Sequence, residues 1–488
     1  PLRRTRISVA ACADWFSPRV RVCLALAALV LAARLWLIGS WGSPVPFWDE
    51  WDADPVLYRG WLTGTLSWHD LFAAANEHRI VLTRLADLAL FAVVGRWDPW
   101  AQLFLNATLH ATTAAMLAGI FWPALTPRTR VGLVAVLAVL FTATFGWQNA
   151  LWGIQSNVYF AILLSVIAVV GVAQGPPFSW RWWCGWFAAL LALFANGGGV
   201  LAAAVALIIT FAAPAQRRTR LSALALFGLV CLGWFLRVTP AHQAPLRAQS
   251  LSQFLEVLAH GLSWPQIDQN WVWIVTQLPL AWLILDLWRR RTMPDAIERC
   301  ACALGLLAIL HAAAVAYSRG AGLPEFRPLS RYQDALQPGV AAQLFAALRL
   351  ASRSDRLGRL LLAGWLTAVG IGLITLTATN LTLHLPYKRA QNTANLALVR
   401  EYLAKPDPTV FRRDPIFPGP HPRPEAVESV LTDPLLRPVL PGAFLASDET
   451  NAARPPWPAR CGGALTALMA VALAGALAAS TRPRAPAP

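Results

Sequence analysis

Long stretches of the chain are apolar at nearly every position rather than on one face. Such runs fall near 19–41, 80–95, 100–124, 131–147, 157–174, 182–195, 197–213, 221–237, 270–288, 300–317, 337–350, 358–380 and 462–480. Most approach the roughly 20 residues that a helix needs to cross a bilayer. The pattern therefore predicts an all-α polytopic membrane protein with 12 or 13 spans. Two stretches are irregular. The 182–213 stretch is interrupted by Asn196-Gly197-Gly198-Gly199, which predicts a tight turn between two spans or a break in one helix. The 80–95 run is short and contains Arg84 and Asp87, each costly at bilayer depth. It is expected to lie in the interface, enter part-way or fuse with the next run, with the two charges neutralising one another at i, i+3.

Polar segments then set the expected orientation, because basic loops collect on the cytoplasmic side. Arg3, Arg4 and Arg6 precede the first run, "TPRTR" (126–130), "RRTR" (217–220), "RRRTMPDAIER" (289–299) and "RSDRLGR" (353–359) separate later ones, and "TRPR" (481–484) follows the last. All are placed on one side only if one run before residue 126 does not cross, and 80–95 is the expected exception. On this scheme the segments 42–79, 238–266, 318–336 and 381–460 face outside. The first run reads as a retained signal anchor. Residues 1–380 form a transmembrane module, 381–460 a small Pro-rich extracytoplasmic segment, and 461–488 a last span with a cytoplasmic tail. Within 381–460, "YKRAQNTANLALVREYLA" (387–404) predicts a helix and the rest Pro-pinned loops with short helices.

Composition agrees with this reading. The 488 residues are 57% hydrophobic and only 14% charged, with mean hydropathy +0.49, against about 25% charged in soluble domains. The net charge of +16 reflects loop topology and anionic lipid, and no basic patch interleaved with aromatics points to nucleic acid. Seven cysteines are scattered without a CxxC or a paired set in a polar loop, so neither a disulfide framework nor a zinc site is indicated.

Candidate chemistry concentrates in the first outside loop. "PVPFWDEWDAD" (44–54) places Asp49, Glu50, Asp52 and Asp54 at the mouth of the first span, followed by Trp61, Trp68, His78 and Arg79. A carboxylate among indoles and partly shielded from water has a raised proton affinity, which suits a general base. The same acids could instead solvate a loop or cap a helix. A second cluster, "YSRGAGLPEFRPLSRYQD" (317–334), carries Arg319, Arg327, Arg331 and Tyr332. Arginines on the outer side run against the inside bias, and guanidinium forks suit a phosphate; pairing with Glu325 and Asp334 is the alternative. Asn106, His110 and Thr113 share one helix face, an expected hydrogen-bonding seam. "GWQNALWGIQSN" (146–157) offers Asn149 and Gln155 as amides for sugar hydroxyls. There is no Walker A, GxSxG, HExxH or GxGxxG context.

Asp49-Glu50 after a retained first span, followed some thirty residues on by Glu77-His78-Arg79, resembles the GT-C class of membrane glycosyltransferases, which includes lipid A aminoarabinose transferases and protein O-mannosyltransferases. In bacterial members the loop reads Asp-Glu and then His-Pro-Pro; here both prolines are missing, and no second acidic motif is evident in a later loop. The resemblance covers 20–125 in pattern and implies a GT-C-like bundle in the inner membrane, with interfacial helices in the first loop and an extracytoplasmic active face. It implies a polyprenyl-phosphate sugar as donor and an envelope glycan, lipid or protein as acceptor. Asp49 would act as base, with Glu50 orienting groups or holding a divalent cation. His78, Arg79, Arg84, Arg327, Arg331 and Tyr332 would surround the donor phosphate and lipid, and Asp52, Asn149 and Gln155 the sugar or acceptor. Two other classes stay open on the residues alone: a flippase or exporter of lipid-linked sugars, and a non-catalytic scaffold of envelope assembly.

Overall fold

The computed structural model describes residues 17–214, 216–323, 325, 327–353, 356–413, 419–445 and 455–481. Arg3, Arg4, Arg6 and the last arginines of "TRPR" lie outside them. The described residues form helices and no strand. In chain order the principal helices are α1 (Pro18–Trp41), α2 (Glu50–Thr63), α3 (Val81–Val94), α4 (Pro99–Phe121), α5 (Pro127–Thr142), α6 (Ser156–Gln174), α7 (Trp180–Ala192), α8 (Val200–Phe211) and α9 (Arg217–Phe235). They continue with α10 (Leu251–Ser263), α11 (Trp273–Arg289), α12 (Ala296–Arg319), α13 (Gln337–Arg353), α14 (Arg356–Thr379), α15 (Leu385–Ala404), α16 (Pro424–Thr432) and α17 (Gly462–Thr481).

Eight of the thirteen apolar runs form helices long and apolar enough to cross a membrane, which makes this a multi-pass membrane protein by length and composition. The other five, α3, α5, α7, α8 and α13, are shorter, at 12 to 17 residues. At 1.5 Å per residue these helices reach about 18–26 Å, less than the roughly 30 Å hydrocarbon core. The interrupted 182–213 stretch is a hairpin. Ala188 and Ala189 of α7 pack against Ala202 and Ala203 of α8, and Trp182 shares a cluster with Ala206. Residue pairs whose numbers sum to nearly the same value mark two antiparallel helices, so the Asn-Gly-Gly-Gly stretch is a turn.

Helix α3 does not run through the bundle. Its Leu88 and Phe91 belong to a separate core with Trp51, Tyr58, Trp97, Val399 and Phe444, while the main core joins α1, α4, α5, α6, α11, α12 and α13. One end of α3 meets Phe194 and the other leads to Trp97, whose amide bonds Val439 O at 2.8 Å. Both ends thus sit in the layer that holds the acidic loop. The expected Arg84–Asp87 pair is not formed. Arg84 donates to the carbonyls of Leu71 (2.9 Å) and Ala73, and Asp87 accepts from Gln102 at 3.0 Å. The reason is geometric: the chain folds back over α3, and bare carbonyls of the loop stand nearer to the guanidinium than the carboxylate on its own helix.

Charged side chains pair at both ends of the bundle. Ala124 O, Asp286, Asp295, Glu298, Arg349 and Arg353 interlock at one end, so the loops around 126–130, 289–299 and 353–359 meet there. The acidic loop, the 143–153 turn, the 193–199 turn, residues 318–336 and the segment after 380 gather at the other. Helices α14 and α15 are continuous through a π-helical turn at Asn380–His384, because the first proline after 356 is Pro386 and Leu385-Pro386 suits a first helical turn. The chain therefore leaves the bundle without a break at 380.

Candidate functional site

The four acids of the opening loop have four different environments. Phe47 and Trp48 bring the chain off α1, and Trp48 takes a left-handed backbone with φ 46°. For a bulky residue this is a strained conformation that surrounding contacts must hold. Here Trp48 N–H donates to Pro420 O at 3.0 Å, and its ring packs among Phe47 and Trp152. The constraint fixes where the next side chain points.

Asp49 stands at the N-cap of α2, yet its side chain makes no capping bond. Its contact is with Asn76, whose Nδ2 donates at 3.3 Å, itself in a left-handed conformation at φ 51°. Burial, and next the Asp52 charge, push the Asp49 carboxyl above its usual range, while His421, Arg331 and Arg423 pull it back. Arg331 lies 282 positions later in the chain, so the acid of the first loop and an arginine of the 318–336 segment act on each other across the fold.

Glu50 is 2% exposed and held on both oxygens: Phe47 N–H donates at 2.5 Å and Ile154 N–H at 2.9 Å. A Cβ on Gly153 would fall 2.5 Å from Glu50 Oε1, so only glycine permits this approach. Burial, and next Asp54, raise the Glu50 carboxyl to about 8. Glu50 thus ties the acidic loop to the 147–155 turn. Asp52 reaches the C-terminal segment: His421 Nε2 donates at 3.1 Å, and Arg423 Nη2 lies 2.7 Å from both carboxylate oxygens. The His421 bond is the main reason that Asp52 sits below the ordinary carboxylate range. Asp54 is buried against Gln102 at 2.8 Å.

The arginines expected around a phosphate separate in the same way. Arg319 is bound to Glu77, with Tyr332 Oη at 3.2 Å from its Nε. Arg327 pairs with Asp268 and Glu325, both at 2.9 Å. Arg79 donates to Leu236 O at 3.1 Å and Phe72 O at 2.5 Å, joining the loop to the end of α9. Arg331 is different: its guanidinium lies over the Tyr332 ring, 5.2 Å from the centroid, and its charge reaches Asp49. His78 Nδ1 accepts from Gly197 N–H at 3.1 Å, and burial holds its pKa below the usual histidine value. A neutral ring fastened to the α7–α8 turn follows.

Asn149 is wholly buried, donating to Arg331 O at 3.0 Å and Asp334 Oδ2 at 2.9 Å. It positions the backbone of Arg331 rather than facing outward. Gln155 is buried beside it, at 7% exposure. The expected seam on α4 is present. Asn106 donates to the carbonyls of Asn149, Trp152 and Gly153, and His110 accepts from Arg34 Nη2 at 2.8 Å. Arg34, 1% exposed on α1, is a buried charge that the apolar run concealed.

Sequence reasoning also missed what α15 and the segment after it contribute. Lys388, Gln391, Asn392 and Asn395 recur at i, i+3, i+4, i+7 and are all buried. The Lys388 ammonium stands 3.2 Å from the Phe47 ring centroid, and Asn392 donates to Trp41 O at 2.9 Å. That spacing was readable as one polar helix face; nothing local marks His421 or Arg423 as partners of Asp52.

At this place the chain offers a carboxylate of raised proton affinity, an amide, a guanidinium on an aromatic ring and the half-buried indole of Trp48. Together they can take a proton from a hydroxyl and hold an anion. Among the described residues no three His, Cys, Asp or Glu side chains are grouped to hold a metal ion. The large cleft of about 650 Å³ lies elsewhere, between α1, α3, α4 and residues 441–443 and 456–459. Comparison with protein-family models, curated proteins and solved structures finds no match for this chain.

Proposed function

We propose that the protein is a membrane glycosyltransferase of the GT-C kind, moving a sugar from a polyprenyl-phosphate donor to an envelope acceptor at the extracytoplasmic face of the cytoplasmic membrane. What supports the reading is that one turn, 147–155, holds both segments: Ile154 N–H donates to Glu50 next to Asp49, while Gln148 and Asn149 bond the backbone of Arg331, and the Arg331 charge acts on Asp49. The basic loops gathered at the opposite end favour that orientation. Asp49 takes the proton of the acceptor hydroxyl, whose oxygen attacks the anomeric carbon from the face opposite the phosphate. The bond from that carbon to the phosphate oxygen breaks, configuration inverts, and polyprenyl phosphate leaves with its charge facing Arg331. Asn76 and Asp52 flank the acceptor side. Glu50, His78, Arg79 and Asn149 act by fixing the loops that carry these groups.

The test is Asp49→Asn, assayed for transfer from a radiolabelled polyprenyl-phosphate sugar into envelope material. Loss of about two to four orders of magnitude is expected, with normal membrane insertion. Unchanged transfer refutes the reading. A second reading, passage of lipid-linked sugars, draws on the buried Arg34–His110 pair inside the bundle. It requires Arg34→Gln to abolish flipping while Asp49→Asn leaves it intact.

A further inference from the structure

The 650 Å³ cleft has no part in the reaction proposed above, and its composition is distinctive. Its size falls within the roughly 300–1,000 Å³ of small-ligand sites. Leu35 and Ile38 of α1 line one wall, Ala101 and Phe104 of α4 another, and Leu90 and Val94 of α3 a third. Helices α1 and α4 are both long and apolar enough to cross a membrane. The cleft sits on the last turns of α1 and the first turns of α4, at the depth where a span leaves the hydrocarbon. Phe104 is 46% exposed there, and Trp36 and Trp457 expose rings at the same level, 37% and 64%. Tryptophans gathered at one height are the mark of the headgroup zone.

Two opposite charges stand at the mouth, Arg96 and Asp98. Arg96 follows the glycine that ends α3 and lines the cleft, its Nη1 lying 2.7 Å from where a Cβ of Gly442 would be. The acid turns toward the backbone, and among the described residues no ion pair joins it to Arg96. Asp98 Oδ1 accepts from the amides of Trp100 (2.9 Å) and Ala101 (3.3 Å), so that carboxylate caps α4. An apolar slot in the flank of the bundle, closed at its polar end by a guanidinium, matches an acyl chain joined to a phosphate.

We propose that this cleft is a binding site for an anionic membrane phospholipid, with the phosphate on Arg96 and the upper acyl chain between α1, α3 and α4. The occupant is a lipid of the bilayer, separate from any donor or acceptor at Asp49, and the proposal stands whether or not the protein transfers sugars. Because α3 and Trp97 also belong to the core beneath the acidic loop, an occupied cleft braces that layer against the spans.

The test uses the full chain in nanodiscs of phosphatidylcholine and phosphatidylglycerol in equal parts, with retained lipid read by native mass spectrometry after transfer to detergent. Wild type should keep phosphatidylglycerol in preference to phosphatidylcholine. Arg96→Ala should lower that preference about fivefold, and Ala101→Trp, which fills the slot, should remove retention of both lipids. A diazirine-bearing phosphatidylglycerol, photolysed with the wild type, should mark peptides containing 97–104 or 456–460, which keeps the proposal testable if Ala101→Trp fails to fold. Equal retention of the two lipids by wild type and Arg96→Ala overturns it, as does labelling confined to other helices. Protection of Arg96 by inorganic phosphate alone, without acyl labelling, would assign the arginine to a free anion and also refute the lipid.

Discussion

Two acids at the starts of helices, one at each end of the bundle, have opposite surroundings. Glu298 lies in the first turn of α12 and Asp295 caps that helix. Asp295 Oδ1 accepts from the amides of Ile297 and Glu298 at 2.8 Å, while Glu298 Oε2 accepts from Asp295 N–H at 3.0 Å. Glu298 Oε1 is also bonded to Arg353 and lies 3.3 Å from Arg349 Nε. Its oxygens are fully committed to holding α12 and α13 together. Asp49 occupies the cap position of α2 and makes no capping bond. Its amide contact is long, and of the two arginines that influence it Arg423 is paired with Asp52 while Arg331 lies over an aromatic ring. A burial penalty without full compensation is tolerated at functional positions. The contrast separates acids that build the fold from the one available to act.

The comparison is broken most severely by exchanging the fates of the two acids. Asp49→Asn should cost transfer a hundred- to ten-thousandfold while leaving the melting temperature nearly unchanged. Glu298→Ala should do the reverse, destabilising by about 3–5 kcal/mol because two arginines lose a buried partner, with transfer per folded molecule intact. Differential scanning fluorimetry beside the transfer assay reads both. Equal stability losses would show that the two acids are equivalent after all.

Arg331→Gln comes next. Transfer should fall about a hundred- to thousandfold if the guanidinium faces the leaving phosphate. The acid limb of the pH–rate profile should also move up, because a charge that lowers the Asp49 pKa is gone. Asp52→Asn should move that limb down, since the Asp52 charge raises Asp49, with a smaller rate effect. Opposite displacements in the two variants are the signature; displacement in one direction for both would contradict the electrostatics.

A finer distinction lies between Asp49 and its neighbour Glu50. The Glu50 carboxyl is raised from 4.5 to about 8 in the fold. Between those values the folded protein holds a proton that the unfolded chain has released, so this contribution is complete below about pH 4.5 and is lost as pH rises through about 8. Glu50→Gln should flatten the decline of stability across that interval. An unchanged slope would show that Glu50 is not its source.

How much of this was legible follows from which interactions are local. The helical class and the position of eight membrane-length helices came from runs of apolar residues, whereas five further runs counted toward the expected 12 or 13 spans form helices too short to cross. The concentration of acids at the end of α1 was equally visible. Their separate roles were not, because Asp52 depends on His421 and Arg423, some 370 positions away, and Glu50 on an amide of the 153–154 turn. The arginines show the same limit. Arg319 and Arg331 are twelve residues apart and look alike in sequence, yet one is bound to Glu77 and the other lies over the Tyr332 ring. The buried polar face of α15 was readable from its spacing, but the loop it covers was not.

The central claim, that residues 49 and 331 share one surface, can be measured independently of activity. Asp49→Cys and Arg331→Cys in the same chain, treated in intact membranes with a short bismaleimide, should yield the linked 49–331 peptide by mass spectrometry. Each single variant should show only mono-modified peptide. Efficient labelling of both cysteines with no linked peptide would place the two residues on different faces and contradict the account.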